Sequence, residues 1–276
     1  MVQVITSPAL PSLCPSQGPK LGRIRIGLYQ MQWFDDPAEH LRRLHQGVAT
    51  CANAGADVVF LPELTLSRYP ADMRPKTAAD RHPEDINRGP SVAFAREAAQ
   101  INDVFVQVSL YEQVKRDDGL GFNTAVLVAP SGDIVATTRK LHIPVTEGYF
   151  EDCYFAEGPA DEPYPIHSIA TDSADIKLGL PTCWDEWFPE VARNYGLRGA
   201  DILCYPTAIG SEPDHPEFNT RSLWQSVIVG HAIANGLFIA VPNRTGVEGL
   251  IRFYGGSFIV DPFGRILAQA PEDVEA

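Results

Sequence analysis

The sequence predicts a single α/β domain, on three observations. Strand-like and helix-like segments alternate near both ends of the chain. Between them, two short apolar segments flank Pro130-Ser-Gly-Asp133, a turn signal that implies a hairpin. No linker, fixed-period repeat or low-complexity tract interrupts residues 23–270. The 276 residues, 45% hydrophobic and 21% charged, are enough for one large core.

Residues 1–22 are rich in Pro, Ser and Gly and are expected as a loose leader before a domain spanning 23–276. They lack a basic start followed by an apolar stretch, so no secretory signal is read. Residues 23–31 alternate in polarity and predict a strand. Asp36 opens a helix in which Leu41, Leu44, Val48 and Cys51 recur at spacings of three and four, and Gly55 ends it. Residues 57–61 form an apolar strand. Residues 62–88 are polar and proline-bearing, and predict a long loop of the functional kind. Pro90 opens a helix to about residue 101. Strands follow at 104–111, 122–129 and 134–139, then an irregular stretch at 140–165. A strand at 176–181 leads to Cys183 and a helix. The remaining elements are a strand at 201–205, a helix at 220–235, strands at 237–241 and 254–260, and a last strand to about 269.

Several classes are disfavoured. The formal net charge of −13 argues against nucleic acid, which needs a basic patch. It suits either a cationic small substrate or a solvated acidic surface. The longest apolar stretches, such as 237–241, fall far short of the roughly 18 residues of a membrane span. The cysteines are Cys14, Cys51, Cys153, Cys183 and Cys204. An odd number without a CxxC pair indicates neither a disulfide framework nor a zinc site, and a reducing cytoplasm fits best.

Three reactive residues fall at ends of predicted strands: Glu63, Lys140 and Cys183. In open α/β folds ligands gather beyond strand C-termini. A carboxylate can activate a thiol, an ammonium can hold the oxyanion formed on attack, and the same carboxylate can return the proton to a leaving nitrogen. Together they suffice to cleave a C–N bond through a thioester. Asp185 is read as an N-cap and Pro189 as the first turn of the following helix, which would favour a thiolate at Cys183. Taken singly, each residue has an ordinary role: core cysteine, loop carboxylate, solvated strand terminus. Cys153 is the rival nucleophile, and His142 either orients the site or simply packs.

These stretches resemble the nitrilase superfamily of carbon–nitrogen hydrolases over residues 23–270. The motifs are Leu61-Pro-Glu-Leu64, Arg139-Lys-Leu-His-Ile-Pro144 and Cys183-Trp-Asp-Glu-Trp-Phe-Pro-Glu190. The resemblance implies a four-layer α-β-β-α sandwich with Glu63 as general base, Lys140 as oxyanion stabiliser and Cys183 as nucleophile. The Trp184 N–H joins the oxyanion site. Tyr149-Phe-Glu-Asp-Cys-Tyr-Phe155 points to Glu151 as a second glutamate, with Glu147 as fallback. Tyr149, Trp187 and Thr207 are expected beside the oxyanion or substrate. No metal or cofactor is implied. The implied partners are a small ureido or amide substrate and further copies of the chain, as a homodimer or larger homo-oligomer, without nucleic acid or membrane.

Within the superfamily the chain looks most like the branch acting on N-carbamoylputrescine. Tyr205-Pro-Thr-Ala-Ile-Gly-Ser-Glu-Pro213, Gly230-His-Ala-Ile-Ala-Asn235 and Phe253-Tyr-Gly-Gly-Ser-Phe258 carry that likeness. Departures are Thr182, Glu186 and the loop Thr65-Leu-Ser-Arg-Tyr-Pro70. The expected reaction is thiol-dependent hydrolysis of an N-carbamoyl amine to amine, CO2 and ammonia. Alternatives are an N-carbamoyl amino acid, an ω-amide or a nitrile as substrate, or a catalytically silent scaffold. A carboxylate substrate should meet an arginine, with Arg68 the one to check. A cationic one should meet carboxylates, with Glu186 and Glu212 as candidates.

Overall fold

The computed structural model describes residues 2–8, 10, 13, 22–172 and 174–276. Cys14 and most of the expected leader lie outside the described residues. In chain order the elements are β1 (Ile26–Leu28), α1 (Pro37–Asn53), β2 (Val58–Phe60), α2 (Pro90–Asn102), β3 (Phe105–Glu112), β4 (Phe122–Val128) and β5 (Ile134–Arg139). A small hairpin of β6 (Val145–Thr146) and β7 (Tyr149–Phe150) follows. The second half holds β8 (His167–Ala170), β9 (Asp175–Gly179), α3 (Pro189–Leu197), β10 (Ile202–Cys204), α4 (Arg221–Asn235) and β11 (Phe238–Val241). It closes with β12 (Thr245–Glu248), β13 (Ile251–Tyr254), β14 (Phe258–Val260) and β15 (Ile266–Gln269).

Two sheets form. The first runs β1-β2-β3-β4-β5, the second β15-β14-β11-β10-β9-β8. In the first sheet β1, β2 and β3 are parallel and β4 and β5 add antiparallel pairings at one side, whereas in the second β9, β10 and β11 form a parallel centre flanked by antiparallel strands. Successive side chains on a strand point to opposite faces. Val58 and Phe60 therefore enter the seam between the sheets, while Val59 faces the helices. Ile202, Cys204 and Leu203 repeat the pattern in the second sheet. The strands are apolar on both faces because both are covered.

Leu44 and Val48 of α1, and Val92, Ala95 and Ala99 of α2, cover the first sheet. Val191 and Tyr195 of α3, and Trp224 and Ile228 of α4, cover the second. The four layers expected from the sequence result. Local signals set the helix limits. The Asp36 side chain accepts from the Ala38 N–H at 3.0 Å, Pro37 and Pro90 open α1 and α2, and Gly236 at φ 68° ends α4.

The structure corrects the sequence in places. The strand expected over 254–260 is split, because Gly255 and Gly256 turn the chain with φ of 57° and 62°. An unexpected strand, β8, pairs antiparallel with β9. Thr182, not Asp185, occupies the N-cap position of the segment after β9, a 3₁₀ turn over Cys183–Trp187, and α3 begins only at Pro189 with Phe188 as its N-cap.

Candidate active site

Glu63 lies three residues beyond β2, Lys140 directly beyond β5, and Cys183 on the 3₁₀ turn after β9. β5 is antiparallel to β4, and β4 to β3, so β5 runs the same way as β2. Both strands therefore release their chemistry at one end of the first sheet. The second sheet, packed across the seam, delivers the sulfur there.

The three side chains meet in a dry place. Glu63 and Lys140 are 0% and 1% exposed, and Cys183 is 5% exposed. The Lys140 ammonium donates to Glu63 Oε1 at 2.9 Å and to both Glu151 oxygens at 2.9 and 2.7 Å. Burial opposes its charge, but Glu151, Glu63 and Cys183 outweigh that and hold it well above the ordinary lysine range. Glu151 is itself pushed up to about 7, first by burial and then by Glu63, against the pull of Lys140. Glu147 is exposed on the β6–β7 turn, so Glu151 is the glutamate that reaches Lys140.

Glu63 is held by three donors. Oε1 also accepts from Asn123 Nδ2 at 2.7 Å, and Oε2 accepts from the Ala208 N–H at 2.9 Å. Behind it, Arg244 donates to the carbonyls of Glu63, Leu64 and Ser67 and pairs with Glu248 at 2.7 Å. That guanidinium satisfies carbonyls exposed by a left-handed turn, with Leu64 at φ 50°. Glu248 accepts from the Tyr69 N–H at 2.7 Å, and the Tyr69 hydroxyl donates to Glu151 at 2.8 Å. Asn123, Tyr69 and Arg244 were not singled out by sequence. An asparagine inside the buried strand β4 is the one local signal that could have flagged any of them, since a buried amide needs partners.

Cys183 sits at φ 45°, a strained value for a residue with a Cβ. Its N–H donates to the Pro206 carbonyl at 3.0 Å, and the Asp185 N–H to the Thr182 carbonyl at 3.1 Å. The Trp184 N–H lies between these two in sequence. The expected thiolate is overturned as a resting state. Burial first, then the Glu63 charge, raise the thiol well above its usual value, and Lys140 only partly offsets them. The helix-dipole argument fails because α3 starts six residues later. Cys153, the rival, is half-exposed and contacts Arg74 and Asp152 instead.

The surrounding residues divide clearly. The Tyr149 hydroxyl donates to the Ser211 carbonyl and accepts from the Gly210 N–H, both at 3.1 Å. Burial, Glu212 and Cys183 all raise its pKa, which places these groups in one neighbourhood. Thr207 turns its hydroxyl to the Tyr205 carbonyl and serves the site through its own carbonyl, which accepts the Glu63 N–H at 3.3 Å. Trp184 and Trp187 pack at a 6.0 Å centroid separation. His142 stacks on Phe188 and bonds Asp185. Arg68 is tied to Asp72. Among the described residues, no group of three or more His, Cys, Asp or Glu side chains is placed to hold a metal. No helix there is long and apolar enough to cross a membrane.

Residues 25–276 match the family described as carbon-nitrogen hydrolase. The chain belongs to that family. This carbon–nitrogen hydrolase is 34% identical over 254 residues to a citrullinase of Francisella tularensis, covering 91% of this chain and 85% of that protein. It is 33% identical over 259 residues to an N-carbamoylputrescine amidase of Arabidopsis thaliana, covering 91% and 83%. A solved carbon–nitrogen hydrolase from Helicobacter pylori G27 shares its fold with a TM-score of 0.77 at 34% identity, covering 91% of this chain and 87% of that one.

Proposed function

We propose that this carbon–nitrogen hydrolase cleaves the ureido group of an N-carbamoyl amine whose far end carries an ammonium. The carrying observation is the buried Lys140 held between Glu63 and Glu151 beside Cys183. Glu63 takes the thiol proton as sulfur attacks the ureido carbonyl. Lys140 and the Trp184 N–H hold the oxyanion. Glu63 returns the proton to the departing nitrogen, leaving a carbamoyl thioester. Water, deprotonated by Glu63, then releases the acid, which falls apart to CO2 and the remaining amine or ammonia. Glu151 orients Lys140 and keeps its charge in place.

Two observations support the substrate class. Glu212, half-buried near Tyr149, already accepts the Thr220 hydroxyl and offers a carboxylate to an ammonium. Arg68, the arginine a carboxylate substrate would want, is already paired with Asp72. Citrulline and N-carbamoylputrescine both carry a terminal ureido group and an ammonium, so the names of the two relatives are consistent with this reading. They differ in the citrulline carboxylate.

The test is ammonia release from N-carbamoylputrescine, citrulline, N-carbamoyl-β-alanine, an ω-amide and a nitrile. Turnover of a cationic ureide, abolished by Cys183→Ala with melting temperature retained, is expected. Wild-type rate in that variant, or preference for N-carbamoyl-β-alanine, sinks the reading. A silent scaffold would leave every substrate intact.

A further inference from the structure

Lys140 and Cys183 come from different sheets, and no strand pairing joins β5 to β9. A single buried carboxylate ties their segments together. Asp185 is 1% exposed. Its Oδ2 accepts the Thr182 N–H at 3.0 Å, from the residue just before the sulfur. Its Oδ1 accepts the Leu141 N–H at 3.2 Å, from the residue just after the ammonium, and the His142 N–H at 2.9 Å. His142 Nδ1 adds a fourth contact at 2.8 Å. The Leu141 N–H also reaches Oδ2 at 3.4 Å, so donors hold both oxygens of this carboxylate, which only accepts.

We propose that Asp185 is a positioning residue that fixes the reach from Lys140 and the Trp184 N–H to the Cys183 sulfur. The inference rests on the reading of Cys183 as nucleophile. Three features support it. The Cys183 torsion at φ 45° persists only if its surroundings over-determine it. The Thr182 N–H is pinned by Asp185, and the Cys183 N–H by the Pro206 carbonyl. His142 also stacks on Phe188 with centroids 3.6 Å apart and planes 10° apart, which anchors the clamp at the start of α3.

Asp185→Asn in the full chain tests it. The amide keeps the shape but turns at least one of these contacts donor-to-donor. A misplacement near 1 Å costs about 100-fold in rate, so kcat on a substrate the wild type hydrolyses should fall about 100-fold, with KM changed less than about threefold. Alkylation of Cys183 by iodoacetamide displaces iodide at a saturated carbon and develops no oxyanion. Its rate should change less than about threefold, since alkylation needs the thiol and a base but not the aligned oxyanion contacts of Lys140 and the Trp184 N–H. A role in folding alone would depress both rates together. Unchanged kcat, or parallel losses in kcat and alkylation, overturns the proposal. If Asp185→Asn does not fold, His142→Phe keeps the stack and deletes one donor. A smaller kcat loss with unchanged alkylation supports the proposal, and no loss or parallel loss overturns it. A wild type that releases no ammonia from any ureide or amide defeats the functional reading itself, which is a separate result.

Discussion

Replacing Lys140 with Met keeps most of the side-chain volume and removes the charge. In the folded protein the ammonium makes three hydrogen bonds of 2.7–2.9 Å to two carboxylates that are at most 1% exposed. Removing one partner of such a buried pair costs about 3–5 kcal/mol, because the remaining charge loses its compensation. At about 2–4 °C per kcal/mol for a domain near this size, the melting temperature should fall by roughly 6–20 °C. The loss should also depend on pH. Without the cation, Glu63 and Glu151 face one another, and Glu151 holds its proton to higher pH. A carboxyl raised in the fold contributes stability that is complete below its unfolded value and disappears as pH rises through its folded value. Wild-type Glu151 already sits near 7, so the variant should fall further behind chiefly above pH 7, by at most about 1.4 kcal/mol per pH unit for one proton. Adding Glu151→Gln should recover part of the loss. Thermal melts from pH 5 to 9, beside ammonia release, measure this. A melting temperature within 2 °C of wild type, or a gap equal at pH 6 and pH 9, would refute the account of a dry, cation-dependent cluster.

Other outcomes follow from the same geometry. Glu151→Gln alone should flatten the wild-type loss of stability between about pH 4.5 and 7, read in urea titrations, since Glu151 carries a folded pKa above its unfolded one. Asn123→Ala removes the 2.7 Å donor to Glu63 and strands the Ser109 hydroxyl. It should cost about 1–3 kcal/mol in stability and lower kcat more than it raises KM. Iodoacetamide near pH 8 should label Cys183 before Cys51, which burial raises to about 12. Glu63→Gln should suppress that labelling, because the thiol depends on its base. Gly47→Ala in α1 would place a methyl 2.3 Å from the Tyr29 ring and should destabilise the fold by about 1–3 kcal/mol in the same titrations.

Helix α1 was legible because its apolar spacing agreed with Asp36 and Gly55 at its ends, and α2 because Pro90 opens it. Strand β8 was not. Its sequence, His167-Ser-Ile-Ala170, buries only Ile169 on the edge of its sheet, so little hydrophobic pattern marks it. At the site, strand ends pointed to Glu63, Lys140 and Cys183, and family likeness added Glu151. The supports were hidden for a physical reason. Arg244 reaches carbonyls some 180 residues earlier, and Asn123 serves a carboxylate 60 residues away. No local periodicity records such contacts. The thiolate expectation failed in the opposite way: a local argument about a helix end ignored the desolvation that only the packed fold supplies.

Because one sheet presents the carboxylate and ammonium while the other presents the sulfur, the reactive constellation is absent from either half alone. During refolding, each sheet can regain its backbone signal while turnover stays at zero. Recovered ammonia release would therefore time the closing of the apolar seam lined by Phe60, Leu127, Leu178 and Ile202. For this chain, an enzymatic assay doubles as a stopwatch for docking.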